Sequence, residues 1–175
     1  MALTDNPMTR LLHLVPALLM LTLPTLAEDF RTIGLIEAEF DGEALSQATM
    51  SYLDGDKRLA TASLTTRGGT TTLTIQGAEG KPIVIEAMFG SAAPGAQSTP
   101  SALEIGFFPD GMRSFWTSGE APEPARITFD RLDTEADDLH ASGTFEALLC
   151  LVSDEADTGN CRPIAGRFDT DLLRE

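Results

Sequence analysis

From about residue 30 onward the chain alternates apolar and polar positions with a period of two, and turn residues break the alternation roughly every eight to twelve positions. Successive side chains of a strand point to opposite faces, so this pattern gives each strand one core face and one wet face. The cleanest segment is IGLIEAEFDGE at 33–43, where Ile36, Ala38 and Phe40 share one face and Glu37, Glu39 and Asp41 the other. The pattern predicts further strands in RLATASLTT (58–66), TTTLTIQG (70–77), PIVIEAMF (82–89) and SALEIGFF (101–108). MRSFWT (112–117), ARITFDRL (125–132), HASGTFEALLCLV (140–152) and PIAGRFDTDL (163–172) complete the set. Between them LDGD (53–56), RGGT (67–70), AEGK (78–81) and PDGM (109–112) supply turn chemistry. Long helical periodicity is absent. The expectation is an all-β antiparallel sandwich of about eight to nine strands. GSAAPGAQSTPS at 90–101 has no apolar anchor and reads as a mobile surface loop.

The start of the chain follows another logic. Arg10 precedes the apolar run LLHLVPALLMLTLPTLA at 11–27, which ends in small residues suited to a signal peptidase. The run is short for a membrane span, and His13, Pro16 and Pro24 interrupt it. Residues 1–27 are therefore expected to be a cleaved signal peptide and 28–175 a single domain, with Met8 an alternative start to Met1. No cysteine stands at the cleavage point, so no lipid anchor is implied. The expected location is periplasmic or extracellular, without membrane insertion once the leader is removed.

Charge narrows the partners. The chain carries 12 basic and 27 acidic residues, a net charge of -15. Cleavage removes one base, Arg10, and one acid, Asp5, so 26 acids face 11 bases and the balance is unchanged. Such a field repels phosphate backbones and excludes nucleic acid as a partner.

Two cysteines, Cys150 and Cys161, are the only ones in the chain and bracket an acidic stretch. In an oxidising compartment such a pair reads as a disulfide, and ten intervening residues exclude C-x-x-C redox spacing. Set opposite each other in a C-terminal hairpin, they put Phe145 over Gly166, Ala147 over Ile164 and Gly143 under Phe168. Thr144 then faces Arg167, with Glu146 diagonal to that arginine. Apolar pairs share one face in this register, and the charged residues share the other with the disulfide.

Other candidate chemistry competes with ordinary structure. The acidic loops 132–139 and 153–160 offer oxygen ligands of the kind calcium takes, yet neither has the EF-hand pattern, and the strand between them separates them by roughly 40 Å. Glu37, Glu39 and Asp41 have a spacing compatible with a glycoside hydrolase pair, but every wet strand face offers the same. After the leader the chain has one histidine, His140, beside Ser142 and without a G-x-S-x-G elbow. It reads as a surface residue at a strand start. Phe107, Phe108, Phe115 and Trp116 sit on the arms of the PDG hairpin; alternation sends about half of them inward, and core packing of both sheets competes with an apolar contact surface formed by the others.

AEFDG at 38–42, GTFEALL at 143–149 and GRFD at 166–169 together resemble a loose class of small exported bacterial β-sandwich proteins of unknown function. Many members are lipoproteins, a feature this chain lacks. The resemblance implies a fold and a compartment and carries over no catalytic residue. The functional expectation is an exported, non-enzymatic protein of binding or interaction type, with no cofactor and with an unidentified protein or glycan partner. Calcium binding through an acidic loop is the alternative, and carbohydrate hydrolysis through surface carboxylates is the more remote one.

Overall fold

The structure is a computed structural model that describes residues 30–78, 80–135, 137–153 and 157–175. Residues 1–27, expected to be a cleaved signal peptide, lie outside the described residues. Among the described residues twelve strands form: β1 (Arg31–Phe40), β2 (Glu43–Asp54), β3 (Lys57–Ala60), β4 (Ala62–Arg67), β5 (Thr70–Gln76) and β6 (Ile83–Phe89) come first. β7 (Ala102–Phe107), β8 (Phe115–Thr117), β9 (Arg126–Asp133), β10 (His140–Val152), β11 (Asp157–Asp171) and β12 (Leu173–Arg174) follow, with one 3-10 turn at Ser118–Glu120. The protein is all-β among its described residues.

The strand pairing departs from the expected eight or nine strands in two separate sheets. All twelve strands belong to one sheet, ordered β12-β4-β5-β6-β7-β8-β10-β11-β1-β2-β3, with β9 alongside β10. Only the short β12–β4 contact is parallel. The two ends of this path meet because β3 and β4 are one stretch of chain bent at Thr61. Its N–H donates to Met50 O on β2 (2.8 Å), and its carbonyl accepts from Gln76 N on β5 (2.8 Å). A single predicted strand at 58–66 thus serves both ends of the sheet. The sheet buries an apolar core: Ile36, Leu73, Ile75, Ile85, Ile105 and Leu149 have no exposed surface. Aromatic contacts cross the interior, Phe40 on Phe107 (5.0 Å) and Phe129 on both Phe89 and Phe168 (5.9 Å).

The C-terminal hairpin has the register that its cysteines imply. Cys150 faces Cys161, Ala147 faces Ile164, Phe145 faces Gly166 and Gly143 faces Phe168. The two cysteines are joined as a disulfide. Gly166 is required by crowding from both neighbours. A Cβ there would lie 2.4 Å from Glu37 O and 2.7 Å from the Phe145 ring. Arg167 faces Thr144 as expected, but its ion-pair partner is Glu37 on β1 (2.7 Å) instead of the diagonal Glu146. β11 lies between β10 and β1, and Glu37 is the residue directly opposite Arg167.

Three local expectations are corrected. The segment at 33–43 is two strands and a turn, since Asp41 (φ 49°) and Gly42 (φ 84°) form a left-handed pair between β1 and β2. Asp41 therefore does not extend the Glu37–Glu39 face. β2 itself is a strand that the sequence reading did not foresee. The segment 90–101 is pinned: Thr71 Oγ1 donates to Ala92 O (3.1 Å), Thr134 Oγ1 donates to Pro94 O (2.7 Å), and Ala96 packs against the core. Its anchors are threonines from distant strands, which local composition does not reveal.

Candidate functional site

β2 carries its polarity reversed. Its buried positions are Gln47, Thr49 and Ser51, while Ala48, Met50 and Tyr52 face outward. Alanine, serine, glutamine and methionine have little preference for strands, so packing and hydrogen bonds hold this segment in place. The inward polar groups are paired. Thr49 Oγ1 and Thr170 Oγ1 are 2.6 Å apart, and Gln47 Nε2 donates to Lys81 O (2.7 Å) while its Oε1 accepts from Ile83 N (2.8 Å). The amide of Gln47 thereby replaces a backbone ladder where β2 meets the start of β6. Gly77 makes room for it, since a Cβ at Gly77 would lie 1.9 Å from Gln47 Oε1. Ala78 N completes the junction by donating to Ala48 O (2.8 Å).

This junction leaves a groove of about 440 Å³ on the outside of the sheet. Its apolar wall is Phe30, Ala48, Met50, Tyr52, Ala78 and Pro82, and among the described residues no charged side chain lines it. The Phe30 and Tyr52 rings pack at 5.5 Å, Thr32 Oγ1 donates to Met50 Sδ (3.4 Å), and Phe30 remains 53% exposed. The period-two signal was present in the sequence, ending at the LDGD turn, but with the polar set pointing inward.

The apolar surface continues beyond the groove. Phe108 N donates to Pro82 O (3.0 Å), and the Phe108 ring lies over Gly106 and stacks on Phe115 (5.2 Å, 16° between planes). Of the four hairpin aromatics, Phe107 and Trp116 turn inward against Phe40, and Phe108 and Phe115 form the outward pair. Val84 sits between Gln76 and Gly106 in the ladder and joins the two patches.

The other sequence candidates are occupied structurally. Glu37 is held by Arg167, and Asp41 lies 3.7 Å from Arg162. Glu39 stands opposite Ala165. These carboxylates do not converge on a cleft. Glu146 binds Arg126 (2.7 Å), a hydrogen bond that holds the guanidinium proton more tightly than usual. In the 132–139 loop Asp133 is bound by Arg131 (2.6 Å). Part of the 153–160 loop lies outside the described residues, and among those described no group of three or more His, Cys, Asp or Glu side chains is arranged to hold a metal. His140 begins β10 as expected, but its side chain is only 16% exposed and sits between Asp171 (3.1 Å) and Asp169 (3.4 Å). No hydrogen bond joins it to Ser142 among the described residues.

Comparison with protein-family models, with curated proteins and with solved structures returns no match. No helix among the described residues is long and apolar enough to cross a membrane.

Proposed function

We propose that the protein is an exported, non-enzymatic binding protein and that the outward face of β2 is its contact surface. One observation carries this reading: β2 turns Gln47, Thr49 and Ser51 into the interior and Ala48, Met50 and Tyr52 toward solvent. Folding alone favours the opposite arrangement, since apolar area gains by leaving water and polar groups must be paired once buried. An apolar groove bordered by polar surface is the usual form of a binding site. Export is supported by the leader-like segment 1–27 and by the disulfide, which suits an oxidising compartment. The sandwich reading is supported by the bend at Thr61 and by aromatic contacts between strands far apart in the sheet order, Phe40 with Phe107 and Phe89 with Phe129.

The test is a titration with a neutral apolar dye whose emission rises on leaving water. The native protein is expected to bind it, and Met50→Glu is expected to abolish the signal without lowering the melting temperature. A dye signal that survives Met50→Glu, or none with the native protein, overturns the assignment. Sequencing the amino terminus of the exported form tests the leader, with Glu28 expected first.

A further inference from the structure

The apolar groove has a charged flank that its partner must match. On the outer face of β6 and β7, one step along the strands from Val84 and Gly106, Glu86 and Glu104 stand directly opposite each other. Side chains at such positions have Cβ atoms about 5 Å apart, and like charges there oppose strand pairing. Thr117 Oγ1 donates to Glu104 (2.7 Å), but neither carboxylate meets a cation among the described residues. Thr74, beside Glu86 in the ladder, brings none either. By strand geometry this acidic pair lies roughly 7 Å from the row of Gln76 and Val84 that borders the groove. On the far rim Lys57 faces Asp54 across the β2–β3 ladder, while Lys81 precedes Pro82 just before β6. Among the described residues, Glu86 and Glu104 are thus carboxylates beside the groove without a cation, on a chain whose net charge is already -15.

Resting on the reading that the groove is a contact surface, we infer that its occupant is a cationic amphipathic segment of another protein. Apolar side chains of that segment lie over Met50, Tyr52 and Pro82, while a lysine or arginine reaches Glu86 and Glu104. From β2 to the Phe108–Phe115 stack the surface crosses four strand spacings, roughly 20 Å, which a short peptide segment fills. The overall field draws a cationic partner in, and the carboxylate pair fixes its orientation. The same field opposes anionic amphiphiles.

The experiment compares three probes on the purified protein: a labelled peptide of alternating leucine and lysine, the same peptide with glutamate for lysine, and the neutral dye. The lysine peptide is expected to bind and the glutamate peptide not to. In the double variant Glu86→Gln/Glu104→Gln, affinity for the lysine peptide is expected to fall about fivefold, a loss typical of two exposed ion pairs. Dye binding is expected to stay unchanged, and the melting temperature to rise as the like-charge pair is relieved. Equal binding of the two peptides, or an unchanged lysine-peptide affinity in the double variant, overturns the cationic occupant while leaving the groove assignment standing. Failure of dye and peptides alike removes both.

Discussion

The β10–β11 hairpin and β2 are built from the same ladder geometry and solve opposite problems. In the hairpin, Phe145, Ile164 and Phe168 are buried while Arg167 and Glu146 reach outward to carboxylate and guanidinium partners. A disulfide then fixes its far end. β2 buries a glutamine, a threonine and a serine and sets a half-buried alanine, methionine and tyrosine on its outer face. Both are internally consistent, since Gln47 and Thr49 are paired as above and Ser51 Oγ accepts from Arg58 (3.5 Å). The hairpin follows the usual rule of apolar side in and charged side out. β2 gives up apolar burial, and the groove is what that sacrifice leaves on the surface.

This contrast can be broken from either side. Replacing Cys150 and Cys161 together by serine is expected to have the largest effect, a loss of roughly 3 kcal/mol in the chain-entropy picture and about 10 °C in melting temperature. Calorimetry of the oxidised protein against the double variant measures it, and an unchanged melting temperature would show that the hairpin register stands without its staple. Gln47→Leu is expected next, at about 2 kcal/mol, because it leaves Ile83 N and Lys81 O without their side-chain partner. Urea titration reads this loss, and the dye should bind more weakly because the same junction shapes the groove. A fully stable Gln47→Leu would mean that the reversed polarity of β2 is incidental. The smallest effect is expected for Arg167→Ala, about 0.5 kcal/mol, since its pair with Glu37 is exposed and screened. A loss several times larger would give the hairpin's ion pairs a structural weight equal to its core.

How much was legible in the sequence follows the same division. The hairpin could be read residue by residue because alternation, the Phe-over-Gly pairs and the two cysteines all fix one register. β2 escaped because Gln47, Thr49 and Ser51 occupy the positions where a strand ordinarily puts aliphatic side chains, and their stabilising partners, Thr170, Lys81 and Ile83, are distant in sequence. The split of the outward aromatics at Phe108 and Phe115 was anticipated by parity. Their continuity with the groove was not, because it depends on Phe108 pairing with Pro82. The anchoring of 90–101 by Thr71 and Thr134 was hidden for the same reason: tertiary hydrogen bonds have no local signature.

The pairing of β1 with β11 has a kinetic consequence. Residues 34–40 find their partners at 164–170, so one flank of β1 stays open until residues about 130 positions later are available. Contacts of such wide sequence separation slow folding, because the loop entropy must be lost before the ladder forms. A chain emerging amino terminus first, from a ribosome or through a membrane pore, therefore cannot complete its sheet midway. During that interval Ile36 and Phe40 lack their cover from β11, and the chain depends on its abundant negative charge to keep neighbouring copies apart.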